Sequence, residues 1–213
     1  MIFNSISEHY YTIILLHGMY QNNKGLIPLV NIIQQNNKHI KVIIPTAPHR
    51  NISWSIPSEK NISSWYDYYT RYDGLLKHDK INIQDFNDQT NRINMIINNE
   101  KINKKNIILA GISQGGTIAL NVGLTNNYNI GGIIGIHTIL MDNIIKVINN
   151  KVPIYLFSGN NDNIYNIKLQ KQSIDKFNLN IKKWIIEKNL GHCEYSINEN
   201  KFILESINNI LIQ

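Results

Sequence analysis

The sequence has one cysteine in 213 residues, Cys193, so no disulfide can form within the chain, which fits a reducing compartment. No apolar run approaches the length that spans a bilayer, and stable membrane insertion is not expected. The opening residues, MIFNSISEHYY, lack the basic stretch and continuous apolar core of a secretory signal. Charge is sparse as well: 17% of residues are charged, for a net charge of +6. The densest basic run, KINKK at 101–105, is short, and the other lysines are scattered. Nucleic-acid binding draws on a concentrated basic face or stripe, so no nucleic-acid partner is expected. Two N-x-S sequons, at Asn51 and Asn61, carry little weight in an Asn-rich chain. The expectation is a cytoplasmic enzyme or binding protein.

What is plentiful is isoleucine and asparagine, together roughly a third of the chain. The bias runs evenly along the sequence and blurs local signals, because Asn imitates turns and Ile imitates strands. The length suits a single α/β domain spanning 1–213. Short β-branched runs at 10–18, 40–48, 106–113, 131–138, 152–159 and 181–187 read as strands. Their apolar character is continuous rather than alternating, as expected of a parallel sheet covered on both faces. Segments 25–36, 83–100, 114–126, 164–178 and 196–212 carry helical spacing between them. Strand and helix alternate throughout, which predicts an α/β fold with right-handed crossovers. Residues 45–82 break the pattern with three prolines, Trp54, Trp65 and the aromatic cluster SSWYDYYTRY. So long an excursion, rich in aromatics, is expected to be ordered and to run over the sheet edge toward a pocket.

Only 12 glycines occur, yet three fall within GISQGG at 111–116. Strand, G-x-S-x-G and then helix is the nucleophile-elbow pattern, in which small neighbours let a serine sit on a sharp turn. A chain of this composition produces that spacing by chance about 0.04 times, before the strand–helix context is required. Ser113 is the candidate nucleophile, at the positive end of the following helix. A base and an orienting carboxylate should follow in the order Ser, Asp or Glu, His. Only His137 and His192 lie downstream. His192, in a loop after the last strand, is preferred as base, because no clear carboxylate separates His137 from Ser113. Asp162, directly after the fifth strand, is preferred as acid; Asp142 after the fourth strand is the alternative, and Asp175 falls within a helix. Backbone N–H groups of Met19, in the turn after LHG, and Gln114 are the candidate oxyanion donors. Cys193 has no elbow, and no His/Cys cluster suggests a metal; no cofactor is expected.

These motifs resemble the acyl-protein thioesterase, lysophospholipase and carboxylesterase family of small α/β-hydrolases. The similarity lies in LHG (16–18), PTAP (45–48), SWYD (64–67), GISQGG (111–116), SGNND (158–162) and the GH at 191–192. It implies a minimal α/β-hydrolase fold without a large lid domain, a Ser113–His192–Asp162 triad, Met19 and Gln114 as oxyanion donors, and Trp65 near the acyl groove. It also implies a carboxylic ester or acyl-thioester as substrate: a small-molecule ester, a lysolipid or an acylated protein. A non-catalytic ligand-binding protein on the same fold is the alternative. The chain departs from the family pattern in MYQNNKG after LHG, in Asn160, and in His137, where a small apolar residue is usual.

Overall fold

The computed structural model describes residues 1–54, 57–70 and 80–212. Among these residues nine strands lie in chain order: β1 Ile2–Phe3, β2 Tyr11–Leu16, β3 Ile40–Ile43, β4 His49–Ile52, β5 Glu59–Ser63, β6 Ile107–Ile112, β7 Gly132–Ile136, β8 Ile154–Gly159 and β9 Ile181–Glu187. The helices are α1 Ile27–Asn36, α2 Ile83–Asn99, α3 Gln114–Thr125, α4 Ile167–Asp175 and α5 Ile197–Leu211. Seven strands form one sheet in the order β1-β3-β2-β6-β7-β8-β9, in which only β1 runs antiparallel. All six expected strands are present in it, and all five expected helices.

Continuous apolar strands follow from burial on both faces. Ile14, Leu16 and Leu109 pack with Ile93 and Ile97 of α2, Ile118 and Leu120 of α3, and Leu169 of α4. Their neighbours Ile13, Leu15 and Ile108 face the other way, onto Val30 and Ile33 of α1 and Phe202 and Ile203 of α5. The parallel register pairs Leu16 with Gly111, Ile112 with Ile136, and Gly159 with Glu187. It therefore gathers the loops after β2, β6, β7, β8 and β9 at one edge, where α/β sheets place their ligands.

Asparagine sets several element starts. Asn82 and Asn166 cap α2 and α4 by accepting the N–H of Asp85 and Lys168, and Asn22 and Asn103 cap two short 3-10 turns. α5 instead begins with a capping box between Ser196 and Glu199.

The described residues of the 45–82 excursion carry secondary structure that the sequence does not signal. It contains the antiparallel hairpin β4–β5, with His49 opposite Ser63. The sequences HRNI and EKNIS are too polar to show a strand period, because this ribbon stands apart from the main sheet. Its anchor is polar: Arg50 donates to the carbonyls of Ser64 (2.9 Å) and Trp65 (3.2 Å) and pairs with Asp85. The end of the expected aromatic cluster, Arg71 and Tyr72, lies outside the described residues. Helix α4 starts at Ile167, later than expected, because the carboxylate of Asp162 takes the N–H groups of Ile164 and Tyr165 first.

One buried carboxylate ties α2 to the sheet. Glu100, just past α2, accepts from Lys41 (2.6 Å) and Thr12 (2.7 Å), which are register partners on β3 and β2. Burial works to raise its pKa, but these hydrogen bonds and the charges of Lys41 and His9 outweigh it and hold Glu100 below the ordinary range. A lowered folded-state pKa stabilises the fold above the unfolded glutamate value of about 4.3, and that stability is lost as pH falls through the lowered value. Charge-assisted bonds of this kind contribute about 1.5–3 kcal/mol. Glu100→Gln should therefore reduce stability at neutral pH and flatten the acid-side decline, as read from urea midpoints between about pH 6 and 3. A variant whose midpoint declines in parallel with wild type would rule this linkage out.

Candidate active site

Ser113 joins β6 to α3 with φ 52° and ψ −122°, a left-handed conformation that L residues rarely adopt. Such backbone costs of order 1–3 kcal/mol and persists only where its surroundings hold it. Here the Ser113 N–H donates to the Ile136 carbonyl (2.8 Å), and its own carbonyl accepts from the Thr138 hydroxyl (2.9 Å). The flanking glycines are needed for space. A Cβ on Gly111 would lie 2.5 Å from the Gly115 backbone, and one on Gly115 would lie 2.4 Å from the His17 carbonyl oxygen.

The turn aims the hydroxyl at His192, with Ser113 Oγ 2.8 Å from Nε2. His192 Nδ1 is 2.8 Å from Asp162 Oδ2. A carboxylate only accepts, so Nδ1 carries the ring proton and Nε2 offers its lone pair to the serine. The other carboxylate oxygen of Asp162 is held by the N–H groups of Ile164 (2.9 Å) and Tyr165 (2.7 Å). Asp142, the alternative acid, instead pairs with Lys176 at the end of α4. The alternative base, His137, is buried behind Asp162 rather than beside Ser113; its Nε2 is 3.1 Å from Glu199 Oε1.

The loop after β2 is braced from beneath. His17 is fully buried; its Nε2 accepts the Ala47 N–H (3.0 Å), so Nδ1 bears the proton and donates to the Gly18 carbonyl (2.8 Å). Burial chiefly, with the nearby charge of Arg92, holds His17 below the usual imidazole range despite the Gly18 bond. The Gly18 N–H donates to the Gln21 side chain (2.8 Å), and that of Tyr20 to the Ser63 carbonyl (2.9 Å). Gly18 lies against the nucleophile, since a Cβ there would sit 3.5 Å from Ser113 Cβ. Met19 and Gln114 line the same pocket as Ser113 and His192. Gln114 opens α3, where a backbone N–H has no intrahelical acceptor.

Trp65 is placed differently from its expected role. It is 0% exposed and absent from the pocket wall. Its indole N–H donates to the His17 carbonyl (2.7 Å), and its backbone N–H to the Gln114 side chain (2.7 Å). Trp65 therefore supports the loop from the core, and the neighbouring Trp54 reaches the pocket instead. The pocket holds about 280 Å³ and is walled by Trp54, Tyr68, Ile164 and Tyr165. The Tyr68 and Tyr165 hydroxyls lie 2.7 Å apart, and burial pushes both phenols well above their ordinary range. At the mouth Tyr20 is pushed up to about 12, by burial first and then by its hydrogen bond to Glu59. The bracing roles of His17 and the Gln114 side chain, and these aromatic walls, were not read from the sequence. The H of LHG and the Q of GISQGG carried the only signal.

The model of the phospholipase/carboxylesterase family matches residues 1–207. The chain belongs to that family. It is a hydrolase of the α/β-hydrolase fold. It is 28% identical to acyl-protein thioesterase 1 homolog 2 of Dictyostelium discoideum, over 97% of this chain and 94% of that protein. The fold is similar to the crystal structure of Zea mays acyl-protein thioesterase 2 (TM-score 0.79, 19% identity, 99% of this chain and 98% of that one). It is also similar to that of Arabidopsis thaliana SOBER1 (TM-score 0.80, 19% identity, 95% and 99%). Among the described residues, no helix is long and apolar enough to cross a membrane.

Gln114 links the SWYD and GISQGG stretches directly. Its side-chain oxygen accepts from the Trp65 N–H, and its amide nitrogen donates to the Tyr66 carbonyl (2.8 Å) and the Ser64 hydroxyl (2.9 Å). Gln114→Ala would leave buried backbone groups unpaired, at about 1–3 kcal/mol each. Thermal melting should fall by several degrees and turnover should drop with it. Unchanged melting would show that the clasp contributes nothing.

Proposed function

We propose that the chain is a cytoplasmic serine hydrolase that cleaves carboxylic ester or acyl-thioester bonds, acting as a single domain of residues 1–213. The observation that carries this reading is the unbroken relay from Ser113 through His192 to Asp162 on a strained elbow. Ser113 attacks the acyl carbonyl as His192 Nε2 takes its proton, and Asp162 stabilises the resulting imidazolium without itself being protonated. The N–H groups of Met19 and Gln114 receive the developing oxyanion. His192 then returns the proton to the leaving alcohol or thiol, and the same steps run with water release the acid. The aromatic and aliphatic pocket suits an acyl chain. The thioesterase names of its relatives support acylated proteins as substrates, and the family's description as phospholipase/carboxylesterase supports lysolipids and simple esters.

Fluorophosphonate labelling tests the nucleophile and separates this reading from a non-catalytic binding protein: wild type should label, and Ser113→Ala should not. Labelling that persists in Ser113→Ala would overturn the assignment. Asp162→Asn should cut turnover of p-nitrophenyl esters by orders of magnitude, about 10⁴-fold in the serine-protease case of a wrong imidazole tautomer. Should Asp142→Asn prove the more damaging change, the acid is misassigned.

A further inference from the structure

Asp162 faces two imidazoles. Its Oδ2 accepts from His192 Nδ1 at 2.8 Å, and His137 Nδ1 lies 3.8 Å from the same oxygen. His137 follows β7 with φ 46°, and its N–H continues the sheet ladder to the Phe157 carbonyl (2.8 Å). Backbone at positive φ is costly for most residues other than glycine and asparagine, and persists here with the ring buried. The side chain is 2% exposed, and its other nitrogen meets Glu199 Oε1 at 3.1 Å. Glu199 is fixed in turn by the Ser196 N–H (3.1 Å) at the start of α5. The titratable groups facing His137 are thus Asp162 after β8, His192 after β9 and Glu199 on α5.

Protonation decides what this arrangement does. With one ring proton donated to an ionised Glu199, the Nδ1 lone pair would face the Asp162 carboxylate. That nitrogen is buried and has no hydrogen-bond partner. The arrangement is complementary when Nδ1 carries a proton toward Asp162 and the Nε2–Glu199 contact is a hydrogen bond. Nδ1–H then turns the positive edge of the ring toward Asp162 Oδ2, at a distance suited to electrostatic attraction rather than a hydrogen bond.

Resting on the triad reading above, we infer that His137 and Glu199 form a positioning pair that holds the Asp162 carboxylate in place for His192. His137 touches no substrate in this reading; it acts through Asp162. The pair also borders a second cavity of about 350 Å³, lined by His137, Glu199 and Tyr195 and sharing His192 with the first.

That cavity makes a chemical-rescue test available. His137→Gly accepts the positive φ and empties the imidazole site. It should lower kcat on p-nitrophenyl butyrate, and the rate of fluorophosphonate labelling, by about tenfold, with KM unchanged within about twofold. Added imidazole should restore the rate in His137→Gly and leave wild type unaffected. His137→Asn, which tolerates the same backbone and offers an N–H near the Nδ1 position, should recover most of the loss. Glu199→Gln should resemble His137→Gly, and the double variant should be no slower than either. Thermal melting of each variant controls for folding. The inference is overturned if labelling of His137→Gly matches wild type, if imidazole and Asn both fail to rescue, or if the two losses multiply. Failure of wild-type Ser113 to label at all would instead remove the triad itself, so the two outcomes are distinguishable.

Discussion

The site depends on the backbone of Ser113. A residue at positive φ between a strand and a helix is unfavourable in isolation, and three contacts from two strand ends combine to hold it. The Ile136 carbonyl at the end of β7 accepts its N–H, the Thr138 hydroxyl donates to its carbonyl, and Gly115 presses against the His17 carbonyl just past β2. The elbow is thus locked to both neighbouring strand ends at once. Relaxing Ser113 would require separating strands whose side chains are buried on both faces.

The same lock extends to the groups around the serine. His17 accepts from Ala47, donates to Gly18 and supports Trp65, which holds the side chain of the residue after the nucleophile. Both candidate oxyanion donors therefore sit on backbone fixed from the core. Groups held this way need no reorganisation when charge develops, which is where electrostatic stabilisation gains most. The pocket walls are built separately, from side chains of the excursion and of the turn before α4.

Much of this was legible in the sequence because the sheet is parallel and doubly covered. Long apolar runs then mark strands without ambiguity, even in a chain where isoleucine is everywhere. The elbow and the order Ser, Asp, His follow from residue types whose geometry tolerates few substitutes. What escaped notice was decided by long-range contacts. The β4–β5 hairpin is polar, and its position rests on Arg50 and Asp67 reaching distant partners. Trp65 belongs to a motif that suggests a groove, yet its indole turns inward because the His17 carbonyl needs a donor there. His137 looked like a rival base, and only the fold shows that two carboxylates from later in the chain close around it.

The asparagine excess has a consequence for how the molecule meets a change of medium. An aspartate cap gains or loses its charge with acidity and weakens with ionic strength, whereas an amide cap does neither. The starts of α2 and α4 are fastened by such uncharged groups. The exception is α5, whose capping carboxylate Glu199 also faces His137. Neither acidity nor salt thus reaches the caps of α2 and α4, whereas the cap of α5 is built on a carboxylate.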